Sequence, residues 1–444
     1  MTDPLDMLND LLAKAKRLGA DAVDAVHIDA ISLNVAQRLG KPEKLQRSEG
    51  SDVGLRVFFG KRQAIVSTSD FSKDTLNEMV ERAVAMAKVV PEDPYCGLAD
   101  PSELAQHVPD VDTFDPSEPS AETLMKWTSE AEDAARAVEG VTNSEGSEAA
   151  WSRATVTLAA TNGLHQHYSR SSYYLGASAL AGSGTAMEQS SDTTNAVYAT
   201  DLRSPKDVGL TAGRKAVARL NPRKVATGQV PIIYDPQISR SLVSHFAGAV
   251  NGTAIARNTS FLMDAMGKSV FGEGITIVDD PHRPRGLRSK PFDGEGVANA
   301  RHTVIDKGRL TTWFLDLRSA RQLGLKSTGH AARSSGSPPS PSATNLYMEA
   351  GRQTPKELMA DIASGFYVTE LIGFGVNGLT GDYSRGASGF WIEKGEITYP
   401  VSEVTIAGNL KDMFKQITPA NDLVFRYGID CPTLRVDGMT VAGR

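Results

Sequence analysis

Residues 371–391 read LIGFGVNGLTGDYSRGASGFW. Gly373, Gly375 and Gly378 spell G-x-G-x-x-G, the spacing that cradles a dinucleotide pyrophosphate when it follows a strand and opens a helix. The helix is missing from the text. Gly381, Gly386 and Gly389 follow within the same run, and a helix interior tolerates glycine poorly. The next stretch, GFWIEKGEITYPV (389–401), reads as a hairpin turning at Lys394-Gly395. The glycines therefore belong to a turn between strands. Hairpins of this kind build antiparallel sheets, not a doubly wound dinucleotide fold.

The flanking sequence supports the same reading. QVPIIYD (229–235) and GITIVDD (274–280) are expected strands. PQISRSLVSHFAGAVNG (236–252) is an expected helix, with another helical stretch near 254–266 and shorter helices in TPKELMADIA and NLKDMFKQI. SSGSPPSPSATN (334–345) has the composition of a mobile loop. Towards the N-terminus, Asp3 and Pro4 open a helix with an apolar stripe at Leu5, Leu8, Leu11, Leu12, Ala15 and Leu18. VDAVHIDAISLNVAQ (23–37) reads as a strand, and GLRVFFGKRQAIVSTSD (54–70) as a hairpin around Gly60. A helix capped by Ser72 should bury Leu76, Met79, Val80, Ala83, Met86 and Val90. Residues 91–119, rich in proline and aspartate, should run over the surface. Asn162-Gly163 marks a further hairpin. We place a boundary near Pro222. The expectation is an α+β chain of two domains: an N-terminal, sandwich-like α/β domain with antiparallel hairpins (1–221), and a predominantly antiparallel β domain with a few helices (222–444).

Bulk properties narrow the function. Of 444 residues, Lys and Arg total 47 and Asp and Glu 53, a net charge of −6 without a basic block. Nucleic-acid binding needs clustered cations and is not expected. Two cysteines, Cys96 and Cys431, exclude a disulfide framework. The first residues lack a signal-peptide pattern and no apolar run suits a membrane span, so a cytoplasmic protein without membrane contact is expected.

Single residues offer little catalysis on their own. MGKS (266–269) lacks the P-loop glycine, since Leu262 stands in its place. His165 and His167, two apart on an expected strand, share a face and could bind one metal, but no third ligand is identifiable. No G-x-S-x-G elbow occurs. Cys431 has no nearby histidine and reads as a free structural thiol. Asp293 and Glu295 in KPFDGEGV read as turn residues. His245 lies on an amphipathic helix, where a lone histidine usually packs or hydrogen-bonds.

Three longer stretches coincide in a resemblance. SEGSDVGLRVFFGKRQAIVSTSD (48–70), SKPFDGEGVANARHTVIDKGRLTTWFLDLRSARQLGLKSTGHA (289–331) and GLTGDYSRGASGFWIEKGEITYPVSEVTIAGNLKDMFKQI (378–417) resemble the TldD/PmbA family, historically called modulators of DNA gyrase, in its PmbA (TldE) branch. The likeness runs over nearly the whole chain. It implies a cytoplasmic TldD–TldE metallopeptidase complex acting on unfolded proteins and peptides. It also implies a zinc site on an H-E-x-x-x-H helix, with a cysteine as a further ligand, in the TldD branch.

This sequence departs from that helix. Counting from His245, Phe246 stands where the glutamate would be and Val250 where the second histidine would be. Catalytic zinc needs about three protein ligands and an open position, and a base to take a proton from its water. The Cys431 context does not match the TldD cysteine. The expectation is a chain with no catalytic residues, metal or other cofactor of its own, zinc residing in a TldD-type partner. It should form a homodimer when isolated. Thr380, Gly381, Asp382, Ser384 and Arg385 are its candidates for a surface facing substrate or partner, because exposed turn backbone can add a peptide as a strand. Two alternatives stand beside this: a self-sufficient metallohydrolase built on His165 and His167, and a non-enzymatic adaptor linked to gyrase modulation.

Overall fold

The structure, a computed structural model, describes residues 3–443. The first sheet is built from β1 (Ala22–Arg38), β2 (Lys41–Phe59), β3 (Arg62–Thr68), β4 (Val141–Ala160), β5 (His165–Ala181) and β6 (Glu188–Ala196). Their order is β3-β2-β1-β4-β5-β6 and every pairing is antiparallel. Alternation along the strands gives this sheet two different faces. On one, Val23, Ala25, Val53, Leu55 and Val57 pack under α1 (Pro4–Arg17) and α2 (Lys73–Val89). Further along the same face, Leu33, Val35, Trp151, Tyr173 and Leu175 pack under α3 (Ala121–Arg136) and α4 (Pro205–Ala218). Val26, Leu158 and Ala160, on the other face, pack against Phe292, Val297 and Leu317 of the second half.

The second half contains β7 (Gly228–Tyr234), α5 (Pro236–Ala249), α6 (Gly252–Ala256), β8 (Ile277–Asp279), β9 (His302–Asp306), β10 (Arg309–Leu310), α7 (Leu317–Gln322), β11 (Ala331–Ala332), β12 (Ser340–Pro341) and β13 (Leu346–Met348). It continues with α8 (Pro355–Met359), β14 (Ser364–Ile372), β15 (Asp382–Glu393), β16 (Glu396–Asn409), α9 (Leu410–Lys415), β17 (Ile417–Pro419), β18 (Ile429–Asp430) and β19 (Leu434–Ala442). The order β16-β15-β14-β7-β19 closes on itself because β16 also pairs with β19. Only β7–β14 is parallel within this ring. β8, β9, β10, β13 and β18 form a separate sheet. The α+β class holds, and the strand–turn–strand reading of 364–409 with it.

Local details differ from expectation. Met86 is 40% exposed, and α2 instead buries Val84 and Ala87. The register of its apolar face is set by the strands beneath, which a single helix cannot reveal. Of 254–266, only α6 is helical. The segment 91–119 is not a free surface strip. Ala99, Leu104, Ala105 and Val111 are buried, while Arg321 donates to the carbonyls of Tyr95, Gly97 and Leu98, and Arg318 pairs with Asp93 at 2.7 Å. Nor does 334–345 hang loose. The Ser335 carbonyl lies so close to Gly54 that a Cβ there would approach it to 2.0 Å. Further along, the Thr344 amide donates to Asp279 at 2.7 Å and Asn345 Nδ2 to Ser289 at 2.8 Å.

A buried charge network joins the halves. Arg56 of β2 donates its Nε to Asp24 of β1 at 3.0 Å and approaches Glu295 to 3.7 Å, while Arg333 reaches Asp24 at 2.6 Å. Burial would raise the Asp24 carboxyl, but Arg333 and Arg56 outweigh it and hold the group below its usual range. Asp293 and Glu295, expected as plain turn residues, are both buried; Asp293 does turn the chain, accepting the amides of Glu295, Val297 and Ala331. Burial pushes Glu295 up to about 8 against the pull of Arg56, with Asp293 and Asp316 adding to the rise. A carboxyl raised on folding binds more protons folded than unfolded between its ordinary value and the raised one, so its contribution falls as pH climbs through that window. Glu295→Gln should therefore flatten the decline in unfolding free energy between about pH 5 and pH 8, by up to about 1.4 kcal/mol per pH unit while the acid titrates. Denaturant titration across that range reads it, and a slope identical to the parent's would refute the assignment.

Candidate functional site

The glycine-rich run joins β14 to β15 as a braced loop. Gly373 takes φ +80°, where a side chain is strained. The Ser384 amide donates to the Gly375 carbonyl at 2.7 Å, and a Cβ on Gly375 would reach within 1.7 Å of the Ser384 oxygen. Asn377 Oδ1 accepts from the amides of Leu379 and Thr380 at 2.9 and 3.2 Å. Asp382 accepts from Thr380 Oγ1 at 2.6 Å and Asn409 Nδ2 at 3.0 Å. The backbone runs from this loop into a strand instead of opening a helix, so the glycines do not form the pyrophosphate cradle of a dinucleotide fold; the first amide of α9, at Leu410, is taken by the Gly381 carbonyl at 2.7 Å. Phe374, fully exposed, and Ile372 and Leu379 point into water from this frame.

Of the candidates here, Thr380, Asp382 and Ser384 are exposed, Gly381 is buried and Arg385 is half-buried. Tyr383, between them, points inward and is 1% exposed. Its ring meets His245 of α5 edge-on, with centroids 6.1 Å apart. The strand that carries the candidates thus meets α5 through the Tyr383–His245 contact. Nε2 of His245 is buried without a hydrogen-bond partner. Burial, helped by the Arg385 charge, lowers the His245 pKa and so favours the neutral ring.

Phe246 and Val250 have no access to solvent. Phe246 lies edge-on to Phe271 at 5.2 Å and to Phe414 at 6.2 Å, and those two rings stack at 4.5 Å. Cys431 lies near the start of the same helix, where Ser239 donates to the neighbouring Pro432 carbonyl at 2.8 Å. Six residues of helix, about 9 Å of axis, separate Ser239 from His245. Burial raises the Cys431 thiol well above its ordinary range.

Sequence comparison gives this arrangement a family. Models of PmbA/TldA metallopeptidase domain 1, the central domain and the C-terminal domain match residues 23–87, 114–220 and 227–443. The metalloprotease PmbA of Escherichia coli O157:H7 is 35% identical over 445 residues, covering 99% of this chain and 96% of that one. The chain belongs to the PmbA/TldD metallopeptidase family. A crystal structure described as a modulator of DNA gyrase from Bacteroides thetaiotaomicron superposes with a TM-score of 0.92 at 25% identity, covering all of both chains. TldE from Thermococcus kodakarensis shares the fold, with a TM-score of 0.86 at 20% identity over 98% of this chain and 100% of that one. The first two domain models fall on the two halves of the single N-terminal sheet.

A family of metallopeptidases implies a catalytic metal, and the donors of this chain do not fit one. No group of three His, Cys, Asp or Glu side chains among the described residues could hold an ion. Beside His245 stand tyrosine, phenylalanine and valine, none of which supplies the ligand set of a zinc site. His165 and His167 do share an exposed edge of β5, opposite Ala159 and Thr157, without a third ligand. Tyr383 was missed in the sequence. Strand alternation between Asp382 and Ser384 was its signal, since the residue between two outward positions faces the core.

Proposed function

We propose that this chain is the PmbA/TldE-type subunit of a two-chain peptidase: it walls the substrate space while a TldD-type subunit supplies zinc and its activated water. Total burial of Phe246 and Val250 in an aromatic core carries the reading. At those positions a metal-bearing helix would need a carboxylate base and an imidazole, and neither function is available from these side chains. The E. coli relative is named a metalloprotease; on this reading such activity resides in the assembled pair. The exposed loop 372–382 is the surface offered to an unfolded chain, with Asp382 and Arg385 holding its shape. Arg385 Nε donates to the Ile372 carbonyl at 3.3 Å.

The experiment is reconstitution. Purified alone, the chain should hold less than stoichiometric zinc by elemental analysis and should not cleave unfolded casein. Mixed with a TldD-type chain it should support cleavage that a chelator abolishes. Joint replacement Asp382→Ala and Arg385→Ala should lower turnover by the mixture about tenfold, as expected if about 1.4 kcal/mol of positioning is lost. Zinc that copurifies with the isolated chain and tracks with its own peptidase activity would overturn the proposal.

A further inference from the structure

HRPRGLR (282–288) and FRYGID (425–430) carry arginines on two loops far apart in the chain. The fold brings them together. Arg283, Arg285 and Arg426 line one cleft of about 220 Å³, which they share with residues 195–197 and Asp201 of the N-terminal half. Like charges gather at a cost unless opposite charge sits among them.

Two acids line the same cleft, and both are already engaged. Asp201 accepts from Arg285 Nη1 at 3.2 Å, while Arg285 also donates its Nε to Asp112 at 2.7 Å. Asp430 accepts the amides of Arg426, Tyr427 and Gly428 at 2.8, 2.9 and 3.0 Å, which uses both of its oxygens to shape the loop. That leaves Arg283 and Arg426. Among the described residues neither has an acid within ion-pair distance, and neither guanidinium donates a hydrogen bond.

Arg283 is held in place all the same. Its guanidinium carbon lies 3.3 Å from the centroid of the Phe425 ring, and that ring meets Tyr347 edge-on at 5.0 Å. A stacked guanidinium keeps the N–H groups at its edges free, in the fork that fits a carboxylate or a phosphate. The loop beneath it is fixed as well: the Arg283 carbonyl accepts from the Gly286 amide at 3.1 Å and from Ser289 Oγ at 2.6 Å. The ordering of a long side chain, normally a cost of binding, is thus met before a ligand arrives.

Size narrows the ligand. The cleft is smaller than the roughly 300–1,000 Å³ of sites for drug-sized molecules, so it suits a compact ion. Two free guanidinium groups call for two negative charges. We propose that this cleft binds a compact dianion, a phosphate group or a short dicarboxylate, between Arg283 and Arg426 at the seam of the two halves. The site is distinct from the 372–385 surface and does not depend on the peptidase reading.

Isothermal titration calorimetry of the full chain in low-chloride buffer tests it, with inorganic phosphate and malonate as the two probes. At least one should bind at one equivalent with a Kd below about 1 mM, and the tighter of the two identifies the ligand as phosphoryl or dicarboxylate. Arg283→Leu keeps an apolar contact with Phe425 and removes the charge. Arg426→Ala removes an exposed side chain with no hydrogen bond or ion pair to lose. Each should weaken binding about tenfold or more, the scale of one charge-assisted contact. Arg283→Lys keeps the charge without the fork and should fall between parent and Arg283→Leu. Lys73→Ala, which removes an exposed cation at the start of α2, is the control and should leave the affinity unchanged. Should Arg283→Leu disturb its loop, as an altered urea midpoint would reveal, Arg426→Ala carries the test alone. No saturable binding of either probe up to about 10 mM, or binding that Arg426→Ala leaves at parental affinity, would overturn the proposal.

Discussion

Arg56→Met is expected to lower the unfolding free energy by about 3–5 kcal/mol, the range seen when one partner of a buried ion pair is removed. Methionine fills much of the same space, so the loss is electrostatic. Arg56 is 4% exposed and serves two acids, Asp24 through Nε at 3.0 Å and Glu295 at 3.7 Å. Without it Asp24 keeps only Arg333, and Glu295 keeps no cation within ion-pair distance among the described residues. Both acids would then rise, since burial already opposes their charge. An acid raised on folding is tolerated below its ordinary value and becomes costly as pH climbs. The deficit of Arg56→Met should therefore be larger at pH 8 than at pH 5. Arg56→Lys should recover part of it, lacking the bidentate fork. Because Asp24 and Arg56 belong to the N-terminal sheet while Glu295 and Arg333 belong to the second half, amide exchange should report earlier opening of that junction. A deficit under about 1 kcal/mol at pH 7 would place the network in the class of surface pairs and remove it as the mortar of the fold.

That network was illegible in the sequence for a physical reason. Asp24 and Arg333 are far apart in the chain, and nothing in the text around KPFDGEGV distinguishes a buried carboxylate from a turn residue. What was legible followed short-range rules. Asp3, Ser72 and Asn162-Gly163 act locally, and they cap or turn the chain where expected. The strand after Gly381 was likewise readable, because three glycines exclude a helix whatever the tertiary setting. Tertiary contacts decided the rest. Met86 faces water because the strands below select a different stripe of α2. The proline-rich 334–345 is tied down through Gly54, a contact that exists only once two distant segments meet. At the site, the odd residues on α5 could be seen to lack donors. That His245 meets Tyr383, and that the 380–385 turn therefore lies beside this helix, required the fold.

The absence of a metal helix is built into the core here, and restoring its letters should not restore its chemistry. Phe246→Glu with Val250→His writes H-E-x-x-x-H at 245–250. Phe246 sits among Phe271 and Phe414, and Val250 has no exposure, so the change removes a buried aromatic and inserts two polar groups without partners. Truncating a core Phe alone costs about 3–5 kcal/mol, and an unpartnered buried carboxyl adds more. The sum approaches the whole stability of a typical domain, about 5–15 kcal/mol. Zinc could offset this only by binding, worth roughly 10 kcal/mol or more for a complete set. The set stays incomplete, because histidines five apart on an ideal helix diverge by about 140° and the Cys431 thiol lies towards the opposite end of α5. The expected outcome is a chain that unfolds at much lower urea and takes up no stoichiometric zinc by calorimetry. Phe246→Leu, retaining an apolar core, should lose far less and serves as the folding control. A folded double variant that binds zinc at one equivalent would mean that the aromatic core tolerates a metal, and that loss of donors alone separates this chain from a peptidase.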